Sequence, residues 1–413
     1  MPAHTDPGYP RATHPFAFTV LFLPYGMVGG YCTVTLTYLL AHAGVGVEQI
    51  ATLVALSLLP QTWKVIWAPL IDTTLSARHW YGASTLASAL SVVAIALIPA
   101  PQKSLWLVDL LVLVTSISCS FSAIATEMVM AHGTADHQRG RAGGWSQAGN
   151  LGGSGLGGGL ALWMSQHAAP WSGGVLLGAI CLACPLALKF AAQPDRSHRA
   201  QVPYRATLLA VGRDVWSITR TRTGLLTGLL FLLPIGTAAA SGLWPAVAGD
   251  WHANADTVAL VNGAAGGVLS MLGCVAAGYA CDVIDRKSSY LLFGILQAAC
   301  ALAMAVCART VTTFVVLTCV YAVISGFIWA AFSAVALESI GRRSVATNYN
   351  LMTCISNVPI VYMTTIEGRA QVRWGSSGML YTEATLAVLA LAVFTAAAWI
   401  SRPRKATPAG SAA

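Results

Sequence analysis

The chain is a succession of long apolar runs separated by short polar turns. A helix needs about 20 predominantly apolar residues to cross the hydrocarbon core of a membrane. Twelve runs have roughly that length, at residues 16–40, 49–70, 80–100, 104–128, 143–165, 171–190, 224–247, 257–280, 288–308, 310–336, 345–366 and 378–400. The pattern therefore predicts an all-α membrane protein with twelve transmembrane helices.

A polar stretch at residues 191–223 separates the sixth run from the seventh and contains six Arg residues. Within it, apolar residues from Leu208 to Ile218 recur at helical spacing, which predicts an amphipathic helix along the membrane surface. This helix serves as an interfacial tether or has a regulatory role. We expect an N-terminal six-helix bundle at residues 1–190, this linker, and a C-terminal six-helix bundle at residues 224–413.

The two halves of the chain repeat each other. Three markers recur in the second half, 210 or 211 residues after their first occurrence: Leu23-Pro24-Tyr25-Gly26 with Leu233-Pro234-Ile235-Gly236, Asp72 with Asp282, and Ala123–Glu127 with Ala334–Glu338. Six spans are an even number, so both halves cross the membrane in the same orientation. The repeat predicts two pseudo-symmetric bundles related by an axis along the membrane normal, with a solute site between them.

Composition and charge support a membrane protein and set its expected orientation. Hydrophobic residues make up 56% of the chain and charged residues 9%, against about 25% charged in soluble domains. If the N-terminus is inside, 18 of the 23 Lys and Arg residues fall on the cytoplasmic side. That bias predicts a multi-pass protein with both termini in the cytoplasm. The polar first fifteen residues precede an apolar run too long for a signal peptide, so we expect no cleaved leader.

The loop after the eighth run carries a recognisable motif. It reads Gly278-Tyr-Ala-Cys-Asp282-Val-Ile-Asp285-Arg286-Lys287 and resembles the G-x-x-x-D-x-x-x-R-[RK] signature of the major facilitator superfamily. The resemblance implies that this Asp and the basic pair tie neighbouring helix ends together in the outward-open state. The equivalent first-half segment keeps Asp72 but lacks the Gly and the basic pair.

Two short motifs favour particular branches of that superfamily. The segment Lys64-Val-Ile-Trp-Ala-Pro-Leu-Ile-Asp72 resembles a stretch of the AmpG-like and acetyl-coenzyme A transporters. The run Leu23–Gly26 and the compact twelve-span length resemble the RhtX/FptX siderophore permeases. Span five lacks the Pro of the drug/proton antiporters, which disfavours multidrug efflux. These resemblances imply an inner-membrane permease, with siderophore uptake as the preferred reading and muropeptide or other organic-anion transport, or efflux, as alternatives.

Charged residues at the cytoplasmic helix ends form the predicted gate. Glu127 and Glu338 occupy equivalent positions, each followed by basic residues, so a network joining helix ends is favoured over proton transfer. The predicted gating residues are Asp72, Glu127, Arg139, Arg141, Asp282, Arg286, Lys287, Glu338, Arg342 and Arg343.

Charges inside spans are costly and are candidates for function. Lys64 either binds a substrate anion or serves structurally, paired with Glu127 or Asp72 or reaching the membrane surface. Asp109 is the candidate for proton coupling, although an acid near a helix N-terminus is equally consistent with a structural role. The other candidate substrate-binding residues are Tyr25, Asn150, Trp244, Asn262, Trp329 and Asn357.

No Walker-type phosphate loop occurs in the sequence, which favours secondary transport over ATP-driven transport. A non-transporting membrane sensor and a membrane-embedded transferase are the other classes, but the nine His residues form no catalytic cluster. The ten Cys residues lie in apolar stretches and are expected to be small buried hydrophobes. We expect no enzyme activity, cofactor, metal or nucleic-acid partner. The expected partners are an organic solute, protons as a candidate coupling ion, and membrane lipids around a monomer.

Overall fold

The structure, a computed structural model, describes residues 13–191, 213, 221–340 and 345–401. These residues form helices and turns, and no β-strand occurs among them. The predicted amphipathic helix of the linker lies almost entirely outside the described residues. The all-α architecture predicted from the sequence is confirmed.

Six helices make up the N-terminal half, close to the predicted spans. They are α1 (Phe16–His42), α2 (Val47–Thr62 and Lys64–Thr73), α3 (Ala77–Ala96), α4 (Leu105–Gly133), α5 (Arg139–Gly155, continued by Leu156–Leu160 and Ala161–His167) and α6 (Ser172–Phe190). The two parts of α2 meet at an angle of 48°. Pro60 near this break cannot donate a backbone hydrogen bond, which weakens the helix there.

The C-terminal half repeats this arrangement. Its helices are α7 (Arg222–Leu232, followed by the short turns Ala239–Leu243, Trp244–Val247 and Ala248–Trp251), α8 (Asp256–Val283), α9 (Arg286–Val306), α10 (Val311–Ser339), α11 (345–374) and α12 (376–400). The span that begins with α7 is interrupted between Leu232 and Ala239, where Gly236 has a φ of 66° and Ala238 a φ of 54°. Broken spans of this kind often line transporter cavities.

Helices α11 and α12 form an antiparallel hairpin. Gly375 separates them with φ 68° and ψ −173°, a conformation that favours glycine. At the other end of the hairpin, Thr347 of α11 bonds to Asp72, and Ser401 after α12 accepts a hydrogen bond from Arg222. Both outer ends of the hairpin therefore reach the same face of the bundle.

Seven helices among the described residues are long and apolar enough to cross a membrane, and the bent α2 pair makes an eighth. One of the seven is the α11–α12 hairpin taken as a single helix. The others that contribute to the bundle, such as the glycine-rich α5, are less apolar because small and polar residues face their neighbours. The molecule is a multi-pass membrane protein with two six-helix halves.

Glycines bring backbones together at two places. Within the N-terminal half, a methyl group added to Gly26 of α1 lies 2.0 Å from the carbonyl oxygen of Asn150 in α5. Between the halves, Gly155 faces Gly267, and Gly144 faces Gly278, so that α5 and α8 touch through their main chains. We call this α5–α8 contact the glycine seam. Small residues permit such close approach of membrane helices.

Candidate functional site

The two halves are joined at one end of the bundle, where α2, α4, α8 and α10 end and α5 and α11 begin. We call this end the basic face and the other end the opposite face. On the basic face, the Asp282 carboxylate accepts hydrogen bonds from the backbone N–H of Gly140 at 2.9 Å and from Arg141 Nε at 2.5 Å. The acid thus caps the N-terminus of α5, where the helix dipole favours negative charge.

Asp72 makes the symmetry-related contact on α11. Its carboxylate accepts hydrogen bonds from the backbone N–H of Thr347 at 3.1 Å, from the Thr347 hydroxyl at 2.6 Å and from the backbone N–H of Ala346 at 3.3 Å. Each half therefore caps one helix of the other half with an aspartate. The repeat predicted the two acids, and the structure identifies the helix ends they hold.

The other predicted gating residues differ in whether they contact the opposite half. Arg286 pairs with Glu338 at 3.2 Å and donates across the halves to the Asp136 carbonyl oxygen. Arg139 pairs locally with Asp136 at 2.7 Å instead of bridging the halves. Lys287 forms no ion pair within the described part of the chain. Arg342 and Arg343 lie outside the described residues.

Glu127 and Glu338 have different surroundings despite their equivalent positions. Glu338 is exposed, whereas Glu127 is buried and accepts a hydrogen bond from Asn350 Nδ2 of the other half at 2.7 Å. The partner of Glu127 is thus an amide of the other half and not Arg139 or Arg141. Lys64 lies within electrostatic reach of Glu127.

Lys64 is buried beside an aromatic ring. Only 3% of its surface is exposed, and its ammonium nitrogen lies 4.3 Å from the centroid of the Tyr25 ring. A cation at this distance from an aromatic face is stabilised by the ring quadrupole. The side chain therefore sits between Tyr25, which lines a cavity, and Glu127, which joins the halves.

A cavity of about 270 Å³ lies between the halves, away from the basic face. Three predicted residues line it, namely Trp244, Asn262 and Trp329. Residues from both halves complete the wall, among them Ser154 of α5 and Tyr321 of α10. The structure therefore brings residues from both sequence repeats to one space, as expected for a site between bundles.

A second cavity, of about 200 Å³, lies against the N-terminal half and shares Ser154 with the first. Tyr25 and Asn150 line it, as does Gln61, whose Oε1 atom has no hydrogen-bond partner among the described residues. Gln61 was not among the predicted site residues. Its position one helical turn before Lys64 was the available signal.

Three predicted residues line neither cavity, namely Lys64, which is buried beside Tyr25, and two residues on α11 and α4. Asn357 is half-buried on α11, and Asp109 is half-buried near the opposite-face end of α4. Two buried acids that the sequence analysis passed over, Glu367 and Glu383, lie in the α11–α12 hairpin. Glu367 fell one residue beyond the predicted end of its span, so it was not counted as a charge within the membrane.

The sequence profile of the Major Facilitator Superfamily matches residues 17–362. The chain belongs to the Major Facilitator Superfamily. The superfamily predicted from the loop after α8 is confirmed. The chain is 24% identical over 321 residues to the anhydromuropeptide permease of Escherichia coli strain K12, an alignment that covers 74% of this chain and 64% of the permease.

Solved structures share the fold at low sequence identity. The human organic anion transporter MFSD10 (TETRAN) superposes with a TM-score of 0.69 at 14% identity, covering 92% of this chain and 99% of that one. The proton:xylose symporter XylE superposes with a TM-score of 0.70 at 13% identity, covering 94% and 96%. The Escherichia coli fucose:proton symporter FucP gives 0.68 at 14% identity, covering 94% and 99%. These similarities establish the architecture of the chain and leave its solute open.

Proposed function

We propose that the protein is a permease of a bacterial inner membrane that takes up an anionic organic solute, with an anhydromuropeptide as the leading candidate. The observation that carries the proposal is the buried Lys64 ammonium, which lies 4.3 Å from the ring of Tyr25, a residue that lines the second cavity. Cations inside membrane spans are costly and mark solute or ion paths. In this conformation the Tyr25 ring covers the Lys64 ammonium, and Glu127 lies within electrostatic reach of it. A solute carboxylate that displaces the Tyr25 ring would pair with Lys64.

The basic face is proposed to be cytoplasmic, with both termini on that side. The excess of Lys and Arg in the loops at this face supports the orientation. The Asp72 and Asp282 caps hold this face together, while the cavities lie on its far side. The conformation accordingly corresponds to a transporter that receives solute from the periplasm. Release to the cytoplasm requires both caps to break.

The chemistry of the cavity walls favours a solute that combines sugar and peptide. The indoles of Trp244 and Trp329 offer flat apolar faces for sugar rings, and the amides of Gln61, Asn150 and Asn262 offer donors and acceptors for hydroxyl and peptide groups. The relationship to the anhydromuropeptide permease agrees with this chemistry. A ferric siderophore, preferred from the sequence, is the second candidate because of the Leu23–Gly26 run.

Counterflow in proteoliposomes tests the proposal. Purified protein is loaded with unlabelled anhydromuropeptide and offered the radiolabelled compound outside, with a ferric siderophore in a parallel set of vesicles. We expect exchange of the anhydromuropeptide, and a loss of at least tenfold in apparent affinity in Lys64→Met, because a charge-assisted contact contributes about 1.5–3 kcal/mol. Lys103→Met, which removes an exposed lysine, serves as the matched control.

The outcomes separate the alternatives. Exchange of the siderophore alone moves the assignment to that substrate, and exchange of neither compound rejects both. Wild-type affinity in Lys64→Met removes Lys64 from the solute site, whichever compound is carried. A growth test complements the assay, because a deletion strain should fail either to recover muropeptides or to use a siderophore as its iron source.

A further inference from the structure

Two glutamates of the α11–α12 hairpin are buried at the same depth. Glu367 is 0% exposed and Glu383 is 3% exposed. They stand eight residues before and eight residues after Gly375, which turns the chain. At 1.5 Å per helical residue, each lies about 12 Å from the turn, so the antiparallel hairpin places the two carboxyl groups within electrostatic reach of each other.

Most of the oxygen atoms of this pair have no partner. The Tyr321 hydroxyl donates a hydrogen bond to Glu383 Oε1 at 2.5 Å. Glu383 Oε2 and both oxygens of Glu367 have no hydrogen-bond partner among the described residues. Neither glutamate takes part in any of the four ion pairs of the described chain.

Among the described residues, no cation forms an ion pair with either glutamate. From the helices packed against the hairpin, Tyr321 of α10 and Cys300 of α9 act on Glu383. Nearer the turn, Arg309 pairs with Asp250 at 3.3 Å, and that pair meets the hairpin at Ser376 and Ser377. On the hairpin itself, the cations nearest in sequence to Glu367 are Arg369 and Arg373. Both have exposed side chains.

A carboxylate without a partner is several kcal/mol less stable in a membrane protein interior than in water. Two adjacent carboxylates also repel each other, so both cannot be ionised together. Glu367 and Glu383 therefore hold at least one proton while water is excluded. The donated bond from Tyr321 stabilises a charge on Glu383, so a single proton held by the pair is the stable occupancy.

The same tyrosine connects the pair to the cavity between the halves. Tyr321 lines the 270 Å³ cavity and packs edge-on against Trp244, with ring centroids 5.3 Å apart. Its single O–H group donates either to Glu383 or to an acceptor on a bound solute. A solute that takes this bond leaves Glu383 without its donor and favours proton uptake by the pair. By linkage, the proton then favours solute binding to the same extent.

We propose that Glu367 and Glu383 bind the proton whose movement drives solute accumulation, and that Tyr321 couples proton occupancy to the solute in the cavity. The inference rests on the proposed transport function and gives it a coupling ion. The pair takes up the proton from water on the side to which the cavity is open. It releases the proton to water on the other side after the conformational change.

The first test separates exchange from accumulation in proteoliposomes with labelled anhydromuropeptide. Counterflow without a pH gradient measures solute movement alone, and accumulation under an imposed pH gradient measures coupling. Glu367→Gln and Glu383→Gln should keep counterflow within about twofold and lose at least tenfold in accumulation. Asp256→Asn, which neutralises an exposed acid outside both cavities, is the control and should retain both activities. Accumulation at the wild-type level in both glutamine variants would overturn the proposal.

The second test needs no solute and is independent of the transport assay. Infrared spectroscopy of the purified protein at neutral pH should show the carbonyl band of a protonated carboxyl group. This band should be reduced or lost in the Glu367→Gln/Glu383→Gln double variant and unchanged in Asp256→Asn. A wild-type spectrum without the band, or a double variant that retains it fully, rejects the proton site even if the solute assignment is right.

A third measurement addresses the role of Tyr321 as a positioning residue. Tyr321→Phe keeps the ring against Trp244 and removes only the hydroxyl group. Its solute affinity should become at least threefold less dependent on pH than that of the wild-type protein, while the infrared band persists. An unchanged pH dependence contradicts the coupling role. If the glutamine variants do not fold, Glu383→Asp is measured in their place. Its shorter side chain moves the carboxyl group away from Tyr321, so accumulation should again fall relative to counterflow.

Discussion

Asp282 at the end of α8 and Arg141 in the first turn of α5 form a 2.5 Å ion pair across the boundary between the two halves. The same carboxylate also accepts a hydrogen bond from the backbone N–H of Gly140. The contact joins a charge pair to a helix cap, so one side chain stabilises two features of the neighbouring half. Asp72 repeats the cap on α11 without an arginine. The second cap therefore replaces the ion pair of the first with a hydrogen bond from the Thr347 hydroxyl.

The first prediction concerns these caps. Asp282→Ala should lower the transport rate more than the amount of folded protein, because the basic face is no longer held closed. A helix cap contributes about 1–2 kcal/mol. The ratio of molecules with a closed basic face to molecules with an open one should therefore fall about tenfold. Hydrogen–deuterium exchange should increase at the N-terminus of α5. Asp256→Asn, at an exposed acid, is the control. Unchanged transport in both Asp282→Ala and Asp72→Ala contradicts the gating role.

The second prediction distinguishes a structural Lys64 from a solute-binding one. If Lys64 serves only to compensate the buried Glu127, the double variant Lys64→Met/Glu127→Gln should be more stable than Lys64→Met, because no uncompensated charge is left. If Lys64 binds the solute, the double variant should still lack high-affinity binding. Thermal unfolding and solute affinity measured on the same samples answer the two questions separately.

The third prediction concerns topology. Reporter fusions after residues 200 and 405 should report the cytoplasm, and fusions near residues 45 and 252 should report the periplasm. The expected pattern follows from the distribution of basic residues and from an even number of spans in each half. A periplasmic signal at residue 200 is incompatible with the orientation proposed for the basic face.

The fourth prediction concerns the contact between α1 and α5. Gly26→Ala should destabilise the folded protein by several kcal/mol or prevent its accumulation, since the new methyl group lies 2.0 Å from the Asn150 carbonyl oxygen. Gly29→Ala, one helical turn away, has no atom within 4 Å of the added group and should be neutral in thermal unfolding. Equal stability of the two variants would show that α1 and α5 do not pack as closely as the structure indicates.

The sequence predicted some features of the site better than others, for physical reasons. Asp72 and Asp282 were predictable because an internal repeat places equivalent acids at equivalent helix ends. Their partners were not, since contacts between halves depend on tertiary packing and on the conformation adopted. The Asn350 partner of Glu127 carries no charge and gives no electrostatic signal in the sequence. The Glu367–Glu383 pair was missed because the hydrophobicity pattern ended the eleventh span at residue 366, which left Glu367 in the predicted turn and Glu383 without a predicted partner.

The glycine seam has a mechanical consequence. Packed helices normally interlock, because ridges of side chains fill the grooves of the neighbour. Where Gly155 meets Gly267 and Gly144 meets Gly278, neither helix carries side chains that can interlock. At these two points the main chains set the distance between the halves, and between them the Met271 side chain of α8 packs against Gly152 of α5. The seam therefore determines how closely the two halves approach each other, and a side chain added at Gly144 or Gly155 would push them apart.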